Sequence, residues 1–224
     1  MLRRMPGKNR VLVAIVVLAA LALAGYWGYA EQQRRAQQAA VAAALTDTTT
    51  RLRDSLAVAP NAAGKPALAR IEGHVAAVDE HLKTVRGARR VPELADGAEH
   101  YVLGAREILR RQVASIRQSE QSAASRAALI GHMRRSARRD GAWIREAMAQ
   151  KKTVESQYFE YGLTLKALAD LLKTFPDSRQ RLVALVGEQA LLETAPAEEA
   201  RALVLKESRR AADELSAVRR LAPR

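Results

Sequence analysis

Residues 154–175, VESQYFEYGLTLKALADLLKTF, carry Val154, Tyr158, Tyr161, Leu165, Leu168, Leu172 and Phe175 at alternating steps of four and three. On a helix of 3.6 residues per turn, that spacing aligns all of these side chains along one narrow seam. A strand would need alternation with period two, and no segment of useful length shows it. The same spacing recurs on both sides of this stretch. Val41, Leu45, Thr48, Leu52 and Leu56 form a row that ends before Pro60. Leu68, Ile71, Val75, Val78, Leu82 and Val85 form another, begun after Pro66 and stopped at Gly87. Leu94, Ala98, Tyr101, Ala105 and Ile108 make a third, with Pro92 at a favoured first-turn position. The last row is Val204, Ser208, Ala211, Leu215 and Val218. The fold class is all-α, an extended antiparallel bundle of coiled-coil character, because residues 60–65 and 87–91 connect its first helices by short turns.

Composition agrees. Apolar residues make up 48% of the chain but aromatics only 4%, so the core must come from Ala, Leu and Val, of which Ala and Leu favour helices. The absence of Cys excludes disulfides, thiolate metal sites, a cysteine nucleophile and a lipidated cysteine.

Residues 11–30 contain no charge. Twenty helical residues rise about 30 Å, the thickness of a bilayer's hydrocarbon core. Tyr26, Trp27 and Tyr29 cluster at the far end, where an interfacial aromatic belt belongs. The expectation is a single transmembrane helix acting as an uncleaved signal anchor in the bilayer. The rival is a cleaved signal peptide, with Ala22-Leu23-Ala24 as the cleavage motif. Arg3, Arg4, Lys8 and Arg10 precede the segment, whereas Arg34 and Arg35 follow it. The positive-inside bias then leaves residues 1–10 as a cytoplasmic tail and exports residues 31–224 as a domain of about five to six helices. The expected location is a bacterial inner membrane with the helical domain in the periplasm. No second apolar run of membrane length follows, so the chain reads as single-pass.

The break between residues 92 and 175 is placed at Asp140-Gly141, with the polar run 118–122 as the other candidate. Pro176 and Pro196 are expected to mark off two shorter final helices, the second capped by Thr194.

Chemistry-bearing patterns are scarce. His74 and His81 lie seven apart, about 10 Å along a helix, too far to share a metal ion unaided. Asp96 and His100 stand one turn apart as a solvated pair. Gly64-Lys65 lacks the earlier glycine of a phosphate loop, has Pro66 where a hydroxyl is required, and follows no strand. The reading is non-enzymatic, with no catalytic residue, metal or cofactor assigned.

Three residue groups suit binding. Tyr158, Phe159 and Tyr161 are aromatic in an aromatic-poor chain, with Phe159 off the seam as a potential partner anchor. Ala20, Ala24 and Gly28 recur every four residues, a small-residue face that lets membrane helices approach closely. Residues 126–152 hold eight basic and two acidic side chains. On one continuous helix, Arg134, Arg138, Arg145 and Lys152 would fall within about 40° of one another. They would flank an apolar stripe of Ile130, Ala137, Ile144 and Met148, a row suited to an anionic surface.

The function expected from these features is a membrane-anchored scaffold that recruits other envelope proteins, or copies of itself, through its helices. A sensory bundle binding a small ligand between helices is the alternative, favoured by a pocket near Tyr158 and Tyr161. A third reading reverses the topology and offers the net charge of +13 to nucleic acid in the cytoplasm; it is the least favoured.

Overall fold

The computed structural model describes residues 7–61, 64–134 and 140–221, with side chains from Val17 onward except at Lys65. Among these residues the chain forms five α-helices and no strand. They are α1 (Gly7–Leu56), α2 (Lys65–Gly87), α3 (Pro92–Arg134), α4 (Gly141–Val186) and α5 (Thr194–Arg220). A short 3-10 turn, Glu188–Ala190, precedes α5.

Cross-helix contacts fix the register. α1 and α2 are antiparallel: the backbone N–H of Arg90, just past α2, donates to Gln37 Oε1 (2.8 Å), while Thr48 Oγ1 meets His81 Nδ1 (2.9 Å). α2 and α3 are antiparallel through ion pairs of Arg86 with Glu99, Arg106 with Asp79 and Arg117 with Glu72. α4 returns along α3, and α5 returns along α4, with Tyr161 beside Glu207 and Lys151 at the carbonyls of Arg219 and Leu221. The expected rows are inside. Val41, Leu45, Thr48, Leu52 and Leu56 are buried, as are all seven residues of the 154–175 seam. Leu68, Val75 and Leu215 pack against this core while partly exposed.

Polar groups between α1, α3 and the turn before α5 satisfy one another, as burial demands, whereas Ser122 Oγ is buried in α3 without a hydrogen-bond partner among the described residues. Thr49 donates to the Ala190 carbonyl (2.9 Å), so the Tyr101 hydroxyl donates to Thr49 Oγ1 (2.8 Å) and accepts from the Leu192 N–H (2.9 Å). This chain ties α1, α3 and the turn before α5 together. Ser55 and Gln112 make a second α1–α3 link.

Helix boundaries follow the expectation at one end of α4 and depart from it at the other. Asp140 caps α4, its carboxylate accepting from the N–H groups of Ala142 (3.0 Å) and Trp143 (2.9 Å). The polar run 118–122 does not interrupt α3, and Ser122 turns into the core. Pro176 does not end α4; the helix continues ten residues beyond it. An interior proline costs about 3 kcal/mol, which burial of Phe175 and Leu182 against α3 offsets. That approach is close because α3 presents Gly97 and Gly104 there: a Cβ at Gly104 would lie 3.0 Å from Phe175 Cδ2, and one at Gly97 2.9 Å from Leu182 Cδ2. The true stop is Gly187 at φ 82°, which donates its N–H to the Val183 carbonyl (2.9 Å). Thr194 is the first residue of α5 rather than its cap; Glu193 holds that position without a side-chain hydrogen bond.

α1 is one unbroken helix of 50 residues, about 75 Å long. Its C-terminal part packs in the bundle from Val41 onward, and residues 17–29 are exposed. Among the described residues, no helix is long and apolar enough to cross a membrane. The expected transmembrane segment, residues 11–30, lies partly outside that statement, since the side chains of residues 11–16 are not among those described.

Candidate partner-binding site

Tyr158 and Tyr161 leave α4 on its buried face, and Phe159 leaves it on the exposed one. Burial raises the pKa of both tyrosine hydroxyls, which stay protonated. The Tyr161 hydroxyl donates a hydrogen bond to Glu207 Oε1 on α5 (3.0 Å), and Asn61 Nδ2, in the α1–α2 turn, donates to Glu207 Oε2 (3.0 Å). Arg210 stands 3.5 Å from the same carboxylate. Glu207 is thus a buried charge held by donors from three parts of the chain, the condition under which such a charge is tolerated. Tyr161 is therefore a structural residue of this junction.

Beside the junction, α4 and α5 enclose a groove of about 410 Å³. Tyr158, Phe159, Leu163 and Lys166 line it from α4, and Leu205 and Leu215 from α5. Phe159 is 54% exposed and Leu163 53%, so two large apolar side chains on one helical face meet solvent. One basic side chain, Lys166, shares the groove with them. The arrangement suits apolar side chains of a partner flanked by a negative charge.

Sequence reasoning identified Tyr158 and Phe159 but missed Leu163, Lys166 and Leu205. The available signal was the set of leucines off the seam, at 163, 203 and 205, all of which are exposed. Glu207 was missed because an acid between Lys206 and Ser208 looks solvated until α4 is laid beside it.

The basic row is not one row. α3 ends at Arg134 and α4 starts at Gly141, so no continuous helix carries Arg134, Arg145 and Lys152, while Arg138 lies outside the described residues. Asp140 ends the alignment by capping α4. Arg145 and Lys152 remain exposed on α4, near the exposed Ile144 and Met148. At the same end, His132 stacks on Trp143 (centroids 5.1 Å apart, planes 16° apart) and closes the α3–α4 hairpin.

Ala20, Ala24 and Gly28 are exposed on α1, and no other element among the described residues lies within 4 Å of a Cβ built at Gly28. His81 bridges Thr48 and Asp47 (Nε2 to Oδ2 3.1 Å), and His100 stays in its exposed pairing with Asp96. Among the described residues no three His, Asp or Glu side chains converge as a metal site would require. Comparison with family models, with characterised proteins and with solved structures returns no match, so any functional reading rests on this geometry alone.

Proposed function

We propose that the chain is a non-enzymatic, single-pass membrane protein of a bacterial envelope whose exported helical bundle recruits a partner protein. The observation that carries the anchoring is the continuity of α1. The uncharged run 11–30 enters the helix whose residues 41–56 build the bundle core, without a linker between them. A helix apolar on every side gains nothing from water and much from lipid. The aromatic cluster Tyr26, Trp27 and Tyr29 supports an interface at its end, Trp27 being 73% exposed. The α4–α5 groove supports recruitment, because exposed aromatic and leucine side chains are what interface centres use.

Two measurements test this. The membrane fraction should retain the protein through alkaline carbonate extraction, and a C-terminal reporter active only outside the cytoplasm should be active. A cytoplasmic C-terminus would instead leave the nucleic-acid reading standing. A photoreactive residue at Phe159 should then cross-link a protein in intact membranes, while one at exposed Ala123 on α3 should not.

The groove's volume also lies within the small-molecule range, which favours the sensory reading as the second. Its occupant would be an apolar anion, matched to Lys166 and the surrounding leucines. Ligand-dependent thermal stabilisation, lost in Leu163→Glu, would select that reading.

A further inference from the structure

The end of the bundle from which α1 emerges gathers arginines from two distant parts of the sequence. Arg34 and Arg35 lie on α1, and the α2–α3 turn contributes Arg89 and Arg90. The turn is held against α1 by two hydrogen bonds: the Arg90 backbone N–H donates to Gln37 Oε1 (2.8 Å), and Arg90 Nη1 donates to the Ala30 carbonyl (3.4 Å). A cleft of about 300 Å³ opens between Arg34 and Arg90 and is completed by Gln38, Glu93 and Leu185. Leu185 is itself 43% exposed, so an apolar side chain sits among the guanidinium groups.

Height along α1 decides what this collar faces. Ala30 ends the uncharged run, and Arg34 and Arg35 stand about 6–8 Å above it at 1.5 Å per residue. The Arg90 guanidinium reaches down to the level of Ala30 itself. A bilayer's headgroup layer extends about 5–8 Å beyond its hydrocarbon core on each side. If residues 11–30 occupy the core, as proposed above, the guanidinium groups of Arg34 and Arg90 stand in that layer, with Arg35 at the same height. Acid within the collar is limited. Glu31 is shared by Arg34 Nε and Arg35 Nε (2.8 Å each), whose hydrogen bonds hold its carboxyl down at about pKa 2, and Glu93 lines the cleft. Four arginines against two carboxylates leave the collar positive.

We propose that this collar binds the phosphate headgroups of anionic lipids and so seats the bundle directly on the membrane surface, with Arg89 and Arg90 as the principal contacts. Guanidinium groups make bidentate hydrogen bonds to phosphate, and basic residues beside a membrane helix are drawn to an anionic surface. The proposal rests on the anchored reading.

The chain's lack of cysteine makes the test direct. Among the described residues, no side chain or other element lies within 4 Å of a Cβ built at Gly87, beside the turn, or at Gly131, towards the far end of α3. Gly87→Cys and Gly131→Cys each provide one labelling site on the full chain, reconstituted in phosphatidylcholine vesicles with or without phosphatidylglycerol. A fluorophore at position 87 should be quenched several-fold more strongly by a headgroup-attached quencher when phosphatidylglycerol is present. High salt should weaken that quenching, as should Arg89→Gln/Arg90→Gln, and the label at position 131 should stay unquenched throughout. Quenching at position 87 that is equal in both lipids and indifferent to salt would overturn the collar, provided the protein resists carbonate extraction. Loss of the protein to carbonate would instead overturn the anchored reading, and the collar with it. Should the double variant fold poorly, the lipid and salt dependence of the arginine-bearing protein still decides the matter.

Discussion

Residues 17–30 and residues 41–56 belong to the same helix and meet opposite surroundings. In the first stretch Leu18, Leu21, Leu23 and Trp27 stand exposed, whereas in the second Val41, Leu45 and Leu52 are wholly buried. The difference lies in pattern rather than in hydrophobicity. The second stretch confines its apolar residues to one row and turns Thr46, Thr50 and Arg53 outward, so it can bury one face and solvate the other. The first has no polar face to turn outward. A bundle can satisfy an amphipathic helix, but only an apolar medium or other helices can satisfy the rest of α1.

Leu45→Ala and Leu21→Ala put that contrast to its hardest test. Truncating Leu45 should cost about 2–5 kcal/mol, as buried leucines do, while truncating Leu21 should leave bundle stability within about 0.5 kcal/mol. Denaturant unfolding of the full chain in mild detergent, followed by circular dichroism, would show it. Equal effects would mean that residues 17–30 also pack on the bundle. Glycines make a second matched pair. Gly104→Ala forces a methyl against the Phe175 ring and should destabilise by about 1–3 kcal/mol, whereas Gly28→Ala meets open space and should not move the bundle's melting point. Next comes Tyr161→Phe, which removes one donor from buried Glu207 and should cost about 1–3 kcal/mol in the same unfolding measurement.

The smallest effect concerns pH. Burial lowers the pKa of His74 and His81, on the α2 face turned to α1, below the ordinary histidine value. Arg51 also disfavours the charged form of both, while Asp54 opposes this at His74 and Asp47 at His81. The unfolded chain therefore takes up protons before the folded one does. Stability is complete above about pH 6.5 and falls as pH drops through the lowered folded-state values. Melting curves between pH 7.5 and 5 should show a decline that His81→Gln makes shallower. A stability that rises on acidification would reverse the sign and refute the assignment.

What could be read in advance was whatever depends on a single helix. The 154–175 seam, the row from Val41 to Leu56 and the Asp140-Gly141 break need only local periodicity and capping chemistry. Pro176 was misjudged because its tolerance is decided on another helix, where Gly97 and Gly104 let α4 approach. The basic row failed for the same reason: its alignment presumed one helix where the chain makes a hairpin. Of the groove, sequence offered Tyr158 and Phe159, but Leu205 becomes their neighbour only when α5 folds back. The arginine collar joins positions more than fifty residues apart, and nothing local announces it.

Between Tyr29 and Leu56, α1 contains neither glycine nor proline and makes no break. A rod of that kind has no hinge to absorb torque. If its apolar half turns about its own axis, Leu45 and Leu52 must turn with it and leave their places between α2 and α3. The bundle core thus works as a lock on rotation at the other end, and whatever loosens the core frees that end to turn.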